Sequence, residues 1–390
     1  MRSILYPGTL LGLLAAASLL SGLPETVTAQ SAEIDAAPSL KDVFKGKFLI
    51  GAALNESQFT ERDSVAAALV KRQFNTISPE NVMKWAVIQP GPDRYNFGPA
   101  DRYVEFGEKN GMFIVGHNLV WHQQTPGWVF ESSKGKPASR SVLLQRMHDH
   151  IQTVVGRYKG RVKGWDVVNE ALAEDGRLRQ TPWLKIIGKD YLAKAFEFAH
   201  EADPGAELYY NDYSLENAPK RRGAISLVKK LRAAGIPVTA VGIQAHVSMD
   251  WPTLQQEDDA ISEIGKLGVK VMITELDVNV LPRVNSDGST EVSLHAAEDP
   301  ALNPYRDGLP DSVQKALAQR YADLFTVFLK HSAVVQRVTF WGVTDGDSWL
   351  NNWPVRGRTS YPLLFDRAGN PKPAFLRVVE TAAAKTAAWN

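Results

Sequence analysis

The sequence predicts a single (β/α)8 barrel. Short apolar runs alternate with longer segments of helical spacing, the alternation counts to eight, and polar residues recur where the runs end. The chain has 390 residues, 44% hydrophobic and 22% charged, which is ordinary for a folded protein. Barrels of this kind commonly exceed about 200 residues as one unit, so a second domain is not required.

The first strand is read at Phe48–Ala53, a run of small and apolar residues. Phe74–Ser78, Phe113–His117 and Lys163–Val168 follow as the second to fourth, and Glu207–Asn211 and Ala240–Gln244 as the fifth and sixth. Lys270–Thr274 and Arg337–Trp341 complete the set. Helical spacing is clearest in two segments between them. Ser139 to Tyr158 places Val142, Leu143, Met147, Ile151, Val154 and Val155 on one face, and Asp311 to His331 places Val313, Leu317, Tyr321, Leu324, Phe325 and Phe328 on another. Asp203-Pro204-Gly205, Ala234-Gly235 and Leu267-Gly268 read as helix stops. Strands alternating with helices imply a parallel sheet with right-handed crossovers. An open doubly wound sheet is the competing arrangement, but it wants a glycine-rich phosphate turn after the first strand, and Asn55-Glu56-Ser57-Gln58 stands there instead. Leu281 to Pro310 is polar and turn-rich and reads as an irregular loop, and Thr381 to Asn390 as a frayed helix end.

Residues 1–29 read as a secretory signal peptide: Arg2, an apolar run from Leu10 to Leu20, then Val27-Thr28-Ala29 as a cleavage site. The apolar run is short of the ~20 residues a membrane span needs. Residues 30–45 read as a lead-in and 46–385 as the (β/α)8 domain. The mature chain is therefore expected to be secreted, extracellular or periplasmic, with no membrane attachment after cleavage. Forty-four Lys and Arg against 43 Asp and Glu leave a net charge of +1, which gives no electrostatic case for nucleic acid. Cysteine is absent, and with it disulfides, thiol nucleophiles and thiolate metal sites. His148 and His150 are two apart and do not share a helix face, so no catalytic metal is expected and no cofactor is called for.

Barrels keep their chemistry at the carboxyl ends of their strands. Those ends carry Glu80, Asn81 and Lys84, then His117, Trp121 and Gln124, then Asn169 and Glu170. Asn211 to Tyr213, Gln244 and His246, Glu275 and Asp277, and Trp341 and Trp349 follow. Two carboxylates matter most. Alternation along a strand sets Asp166, Val168 and Glu170 on one side, and Ile273, Glu275 and Asp277 on one side. The fourth and seventh strands stand across the barrel, so Glu170 and Glu275 face each other over a cleft. Glycoside hydrolysis uses such a pair: one carboxyl protonates the leaving oxygen, while the other attacks the anomeric carbon or activates water. His246 beside Glu275 is expected to orient it and keep it ionised, with Asp277 holding the imidazole. Asp166 and His117 are read either as a similar supporting pair or as a purely structural one. Trp85, Trp121, Trp341 and Trp349 lie near the mouth, where aromatic faces stack on sugar rings, whereas Trp165, Trp183 and Trp251 are read as core.

At these residues the sequence resembles the family 10 glycoside hydrolases, the endo-β-1,4-xylanases, from about Lys47 to Thr381. The resemblance lies in Glu80-Asn81-Val82-Met83-Lys84-Trp85, Gly116-His117-Asn118-Leu119-Val120-Trp121-His122 and Trp165-Asp166-Val167-Val168-Asn169-Glu170, with Gly242-Ile243-Gln244-Ala245-His246 and Ile273-Thr274-Glu275-Leu276-Asp277-Val278. It implies a retaining mechanism on xylan, with Glu170 as acid/base and Glu275 as nucleophile. It assigns Glu80, Asn81, Lys84, Gln124 and Trp349 to the second sugar on the glycone side. His117, Trp121, Asn169, Gln244, His246 and Trp341 go to the sugar being cleaved, and Tyr213 to the leaving-group side. Glu170 is expected to start protonated, its pKa raised by the nearby negative charge. Gln124 and Trp349 are expected to exclude the hydroxymethyl that distinguishes glucose from xylose. The expected partners are xylan and xylo-oligosaccharides, bound by a monomer. Two alternatives remain at this point: a barrel glycosidase acting on β-1,4-glucan, and a non-hydrolytic xylan-binding protein.

Overall fold

Eight parallel strands close on one another in chain order. In the computed structural model, which describes residues 38–132, 135–284 and 295–387, they are β1 (Leu49–Leu54), β2 (Thr76–Pro79), β3 (Phe113–Val120) and β4 (Gly164–Asn169), followed by β5 (Glu207–Asp212), β6 (Ala240–Ile243), β7 (Lys270–Asn279) and β8 (Val335–Phe340). Each pairs in parallel with the next, and β8 returns to β1 through Leu49 opposite Arg337 and Ala52 opposite Phe340. A short strand, His246–Ser248, extends the sixth position and pairs with Asp277–Asn279 of β7.

Helices cover the outside because parallel neighbours need a crossover of a dozen or more residues. In order they are α1 (Ser64–Gln73), α2 (Gly98–Lys109), α3 (Arg140–Arg157), α4 (Tyr191–Ala202), α5 (Ala218–Ala233), α6 (Leu254–Gly265), α7 (Asp311–Lys330) and α8 (Pro373–Ala387). The strands are buried along almost their whole length, as a sheet covered on both faces requires. Ser139 caps α3 by accepting from the Val142 backbone N–H, and Leu143, Met147, Ile151 and Val154 bury its inner face. Val142 does not join them. It precedes Leu143 by 100° around the helix and is exposed.

Two glycines inside strands leave room for aromatic rings on the next strand. A Cβ at Gly116 of β3 would come within 2.1 Å of the Trp165 ring, and one at Gly164 of β4 within 1.9 Å of the Tyr209 hydroxyl. Both strands are thereby interlocked with their neighbours.

Three readings change or fall outside this view. The expected signal peptide lies outside the described residues. The expected lead-in is folded at its end: a helical turn, Leu40–Val43, brings Leu40 and Phe44 to full burial, and the Leu40 backbone N–H donates to Gln73. Phe44 stacks on Phe48 at 4.9 Å and meets Phe325 of α7 at 5.1 Å, so the barrel's apolar packing begins before β1. The described parts of the Leu281–Pro310 stretch are irregular apart from one 3-10 turn at Pro300–Leu302.

Phe44→Ala should therefore lower unfolding stability by about 3–5 kcal/mol, as expected for a fully buried ring. Urea or thermal unfolding checks this; a midpoint equal to the parent's would return residues 38–45 to the status of a linker.

Candidate active site

All eight strands deliver their carboxyl ends to one face, and backbone conformation there is unusual. Among the described residues five non-glycines have positive φ, and four of them follow barrel strands: Gln124 (44°), Glu170 (56°), Ser214 (52°) and Ala245 (59°). Left-handed backbone at such residues costs of order 1–3 kcal/mol each and persists only where the surroundings enforce it. At Glu170 the consequence is direct. Strict alternation would turn Asn169 and Glu170 to opposite sides, yet both line one cleft of about 170 Å3. β4 loses regular register between Asp166 and Val168, and Glu170 has left-handed backbone, so strict alternation does not run through Asn169 and Glu170.

Glu275 faces the same cleft from β7. The two carboxyls are linked by amides. Asn211 Nδ2 donates to Glu275 Oε1 at 2.8 Å and to Asn169 Oδ1 at 2.9 Å, and Asn169 Nδ2 donates to Glu170 Oε1 at 3.1 Å. The Asn211 amide is itself oriented, because its Oδ1 accepts from the Thr274 hydroxyl at 2.7 Å. Glu170 also accepts from Trp121 Nε1 at 2.8 Å and Gln244 Nε2 at 3.0 Å. Glu275 Oε2 meets His246 Nε2 at 3.2 Å, and His246 Nδ1 meets Asp277 Oδ2 at 3.0 Å. The expected carboxylate–imidazole–carboxylate chain is therefore present.

These contacts push two buried carboxyls in opposite directions. Burial raises the Glu170 pKa, with Asp212 adding to the rise while His122 and the bonds from Gln244 and Trp121 oppose it. Burial, not the neighbouring Glu275 charge, is thus the leading cause, which corrects the sequence reading; the negative neighbour that contributes is Asp212. Burial would also raise Glu275, but the bond from His246, the His117 and His246 imidazoles, and the Asn211 amide outweigh it and leave its pKa lowered. Burial alone would depress His246. Asp277 and Glu275 reverse that and lift it to about 10, so the imidazolium persists through neutral pH.

One end of the cleft is polar. Lys84 Nζ donates to Asn81 Oδ1 at 3.0 Å and lies 5.1 Å from the Trp121 ring centre, and Gln124 Nε2 reaches the same Asn81 oxygen at 3.4 Å. Glu80 lines this end too, its pKa raised chiefly by burial. Burial lowers the Lys84 pKa against the pull of Glu275, Glu80 and Glu170. His117 and Asp166 form a buried pair at 2.9 Å, and the His117 ring meets Trp341 edge-on at 5.4 Å. Trp349 completes the wall and donates its indole N–H to Asp277 Oδ2 at 2.8 Å.

The cleft thus gathers Glu80, Asn81, Lys84, His117, Trp121, Gln124, Asn169, Glu170, Gln244, His246, Glu275, Trp341 and Trp349. Asp166 and Asp277 stand behind it, each on a histidine. Tyr213 does not line it: its hydroxyl is held by Arg179 at 2.6 Å, and Lys220 Nζ sits 3.3 Å from its ring centre. Trp85 is not at the mouth. It is 2% exposed and stacks on His150 at 3.6 Å, so the helical turn it opens faces the core. Trp251, read as core, instead lines a neighbouring pocket. Asn211, named from the sequence only as a strand-end residue and given no role, bridges Asn169 and Glu275. An amide ending an apolar strand was the available signal.

The glycosyl hydrolase family 10 model matches residues 39–381. The chain is 46% identical to Endo-1,4-beta-xylanase A of Xylanibacter ruminicola over 88% of this chain and 93% of that one. It is 44% identical to the Beta-1,4-xylanase of Dictyoglomus thermophilum over 88% and 91%. Among solved structures, a GH10 endoxylanase retrieved from sugarcane soil metagenome superposes with a TM-score of 0.85 at 45% identity, covering 88% of this chain and 99% of the other. Xylanase XynB from Paenibacillus barcinonensis, complexed with a conduramine derivative, gives a TM-score of 0.79 at 38% identity, covering 88% and 98%. With the barrel, the carboxyl pair and these matches together, the chain belongs to glycosyl hydrolase family 10.

Proposed function

We propose that the chain is an endo-1,4-β-xylanase that cleaves internal xylosidic bonds with retention of configuration. The observation that carries this reading is one cleft holding two buried carboxyls, one biased toward its acid and the other toward its anion. Curated relatives named endo-1,4-beta-xylanase, alike over most of both chains, supply the substrate class.

In the first step a Glu275 oxygen attacks the anomeric carbon. The bond to the leaving oxygen breaks, that oxygen takes the Glu170 proton, and a glycosyl ester on Glu275 remains. In the second, Glu170, now an anion, takes a proton from water as the water oxygen attacks the same carbon. The ester bond breaks, and both carboxyls return to their starting states. Two inversions at one carbon give net retention. Asn169 serves the sugar 2-hydroxyl, an interaction that strengthens as positive charge develops on the ring. Lys84, Asn81, Glu80 and Gln124 bind the next sugar on the glycone side. To Trp349 and Gln124, which line the cleft, we assign the exclusion of a C5 hydroxymethyl, which favours xylan over β-1,4-glucan.

NMR of the first product formed from xylo-oligosaccharides should show the β anomer, and an α product overturns the retaining mechanism. Glu170→Ala should slow xylan hydrolysis by about 10²–10⁴-fold, yet spare aryl xylosides with good leaving groups, which need little proton assistance. Glu275→Ala should abolish turnover on both. Equal losses on both substrates for Glu170→Ala would reject the roles given.

The pH profile of kcat/KM follows from the shifts. Its acid limb, where Glu275 takes a proton, should lie below the ordinary carboxyl value of 4.5, and its alkaline limb, where Glu170 loses one, above it. His246→Ala removes the bond that offsets burial at Glu275, so the acid limb should move to higher pH. An unmoved acid limb would mean that His246 does not tune the nucleophile.

A further inference from the structure

Asp212 ends β5 and is fully buried, yet it does not line the cleft. Removing a carboxylate from water is costly unless partners replace its hydration. Lys220 Nζ, itself fully buried at the start of α5, lies 3.1 Å from Oδ1. The Tyr213 backbone N–H donates to the same oxygen at 3.0 Å, and the Tyr210 hydroxyl donates to Oδ2. The remaining bond runs toward the acid/base. Oδ2 accepts from the backbone N–H of Leu172 at 3.4 Å, two residues beyond Glu170, while the Glu170 N–H donates to the Asn211 carbonyl at 2.9 Å. Consecutive residues of β5 thus hold the chain at Glu170 and just beyond it, where the backbone is left-handed.

Charge adds to that grip. The cationic groups facing Glu170 are His122 after β3, Lys84 after β2 and Arg179 after β4, and the Tyr213 phenol faces it from the end of β5. Asp212 opposes those cations and joins burial in raising the Glu170 pKa. Facing Asp212 in turn are Lys220, Arg179 and the phenols of Tyr191, Tyr210 and Tyr213. Lys220 also pairs with Glu174 at 3.1 Å, and the Tyr213 ring covers its ammonium 3.3 Å from the ring centre. Tyr213, absent from the cleft wall, thus covers the ion pair behind the acid/base.

We propose that Asp212, anchored by Lys220, is a positioning residue for the acid/base: it fixes the backbone that carries Glu170 and keeps a negative charge behind that carboxyl, so that Glu170 holds its proton until the leaving oxygen takes it. The proposal rests on the xylanase reading above and adds to it a buried ion pair outside the cleft.

Asp212→Asn keeps the shape and removes the charge, and Lys220 keeps Glu174 as a partner. The pH profile of kcat/KM is measured on xylohexaose, and Glu170 is titrated alongside through the NMR signal of its carboxyl carbon. With one cause of the raised Glu170 pKa gone, the alkaline limb and the NMR midpoint should both move to lower pH, and the acid limb should stay. At the optimum kcat/KM should fall by less than about 10²-fold, the least that loss of a general acid itself costs. The double variant Asp212→Asn/Lys220→Met removes both buried charges together, which a fold tolerates better than one stranded ion, and should show the same movement. Glu174→Gln alters the ion cluster without touching Asp212 and should leave limb and midpoint in place. The proposal falls if neither Asp212 variant moves them to lower pH. It also falls if Glu174→Gln moves them as far, since the net charge of the cluster would then be responsible. A parent inactive on xylohexaose would instead reject the xylanase reading, while the NMR midpoints would still decide the role of Asp212.

Discussion

Taking a carboxyl out of water is costly unless other groups replace its hydration, and the barrel mouth meets that constraint twice with opposite results. Glu170 is buried and lies within the field of the Asp212 carboxylate, and these raise its pKa against the pull of its neutral donors, the Trp121 indole and the Gln244 amide. Glu275 is equally buried but supported by an imidazolium that is itself held by Asp277, and its pKa is lowered in spite of burial. Nothing in the two side chains differs. Their neighbours, delivered by different strand ends, divide acid from nucleophile.

The division depends on fixing several amides in one orientation each. Thr274 fixes Asn211, Asn211 then bridges Asn169 and Glu275, and Asn169 with Gln244 holds Glu170. Such a network is strong when every member is satisfied, because each bond is made away from competing water. Trp349 ties the same network to the cleft wall through Asp277, so the shape that selects the sugar and the charge that attacks it share one residue.

Much of this was legible beforehand. Apolar runs separated by helix-length segments give a strand count, and a carboxylate ending a buried run has few purposes, so Glu170, Glu275 and the His246–Asp277 pair could be picked out before any coordinates. What was hidden depends on backbone geometry or distant packing. Alternation predicts Asn169 and Glu170 on opposite sides, whereas both line the cleft where β4 loses register and Glu170 has left-handed backbone. Trp85 sits among mouth residues in the sequence but turns into the core against His150. Trp251 does the reverse. The Leu40–Phe44 turn carries no strand or helix signal of its own; its burial depends on Phe48 and on α7, far along the chain.

The left-handed residues at the strand ends bear on how such a molecule can change. Interlocked glycines and aromatic rings lie in the barrel body, while Gln124, Glu170, Ser214 and Ala245 hold left-handed conformations at the mouth. Rigidity and reactivity are therefore lodged at opposite poles of one architecture. Engineering for heat tolerance has room to act on the scaffold, whereas relief of strain at the rim trades endurance against turnover.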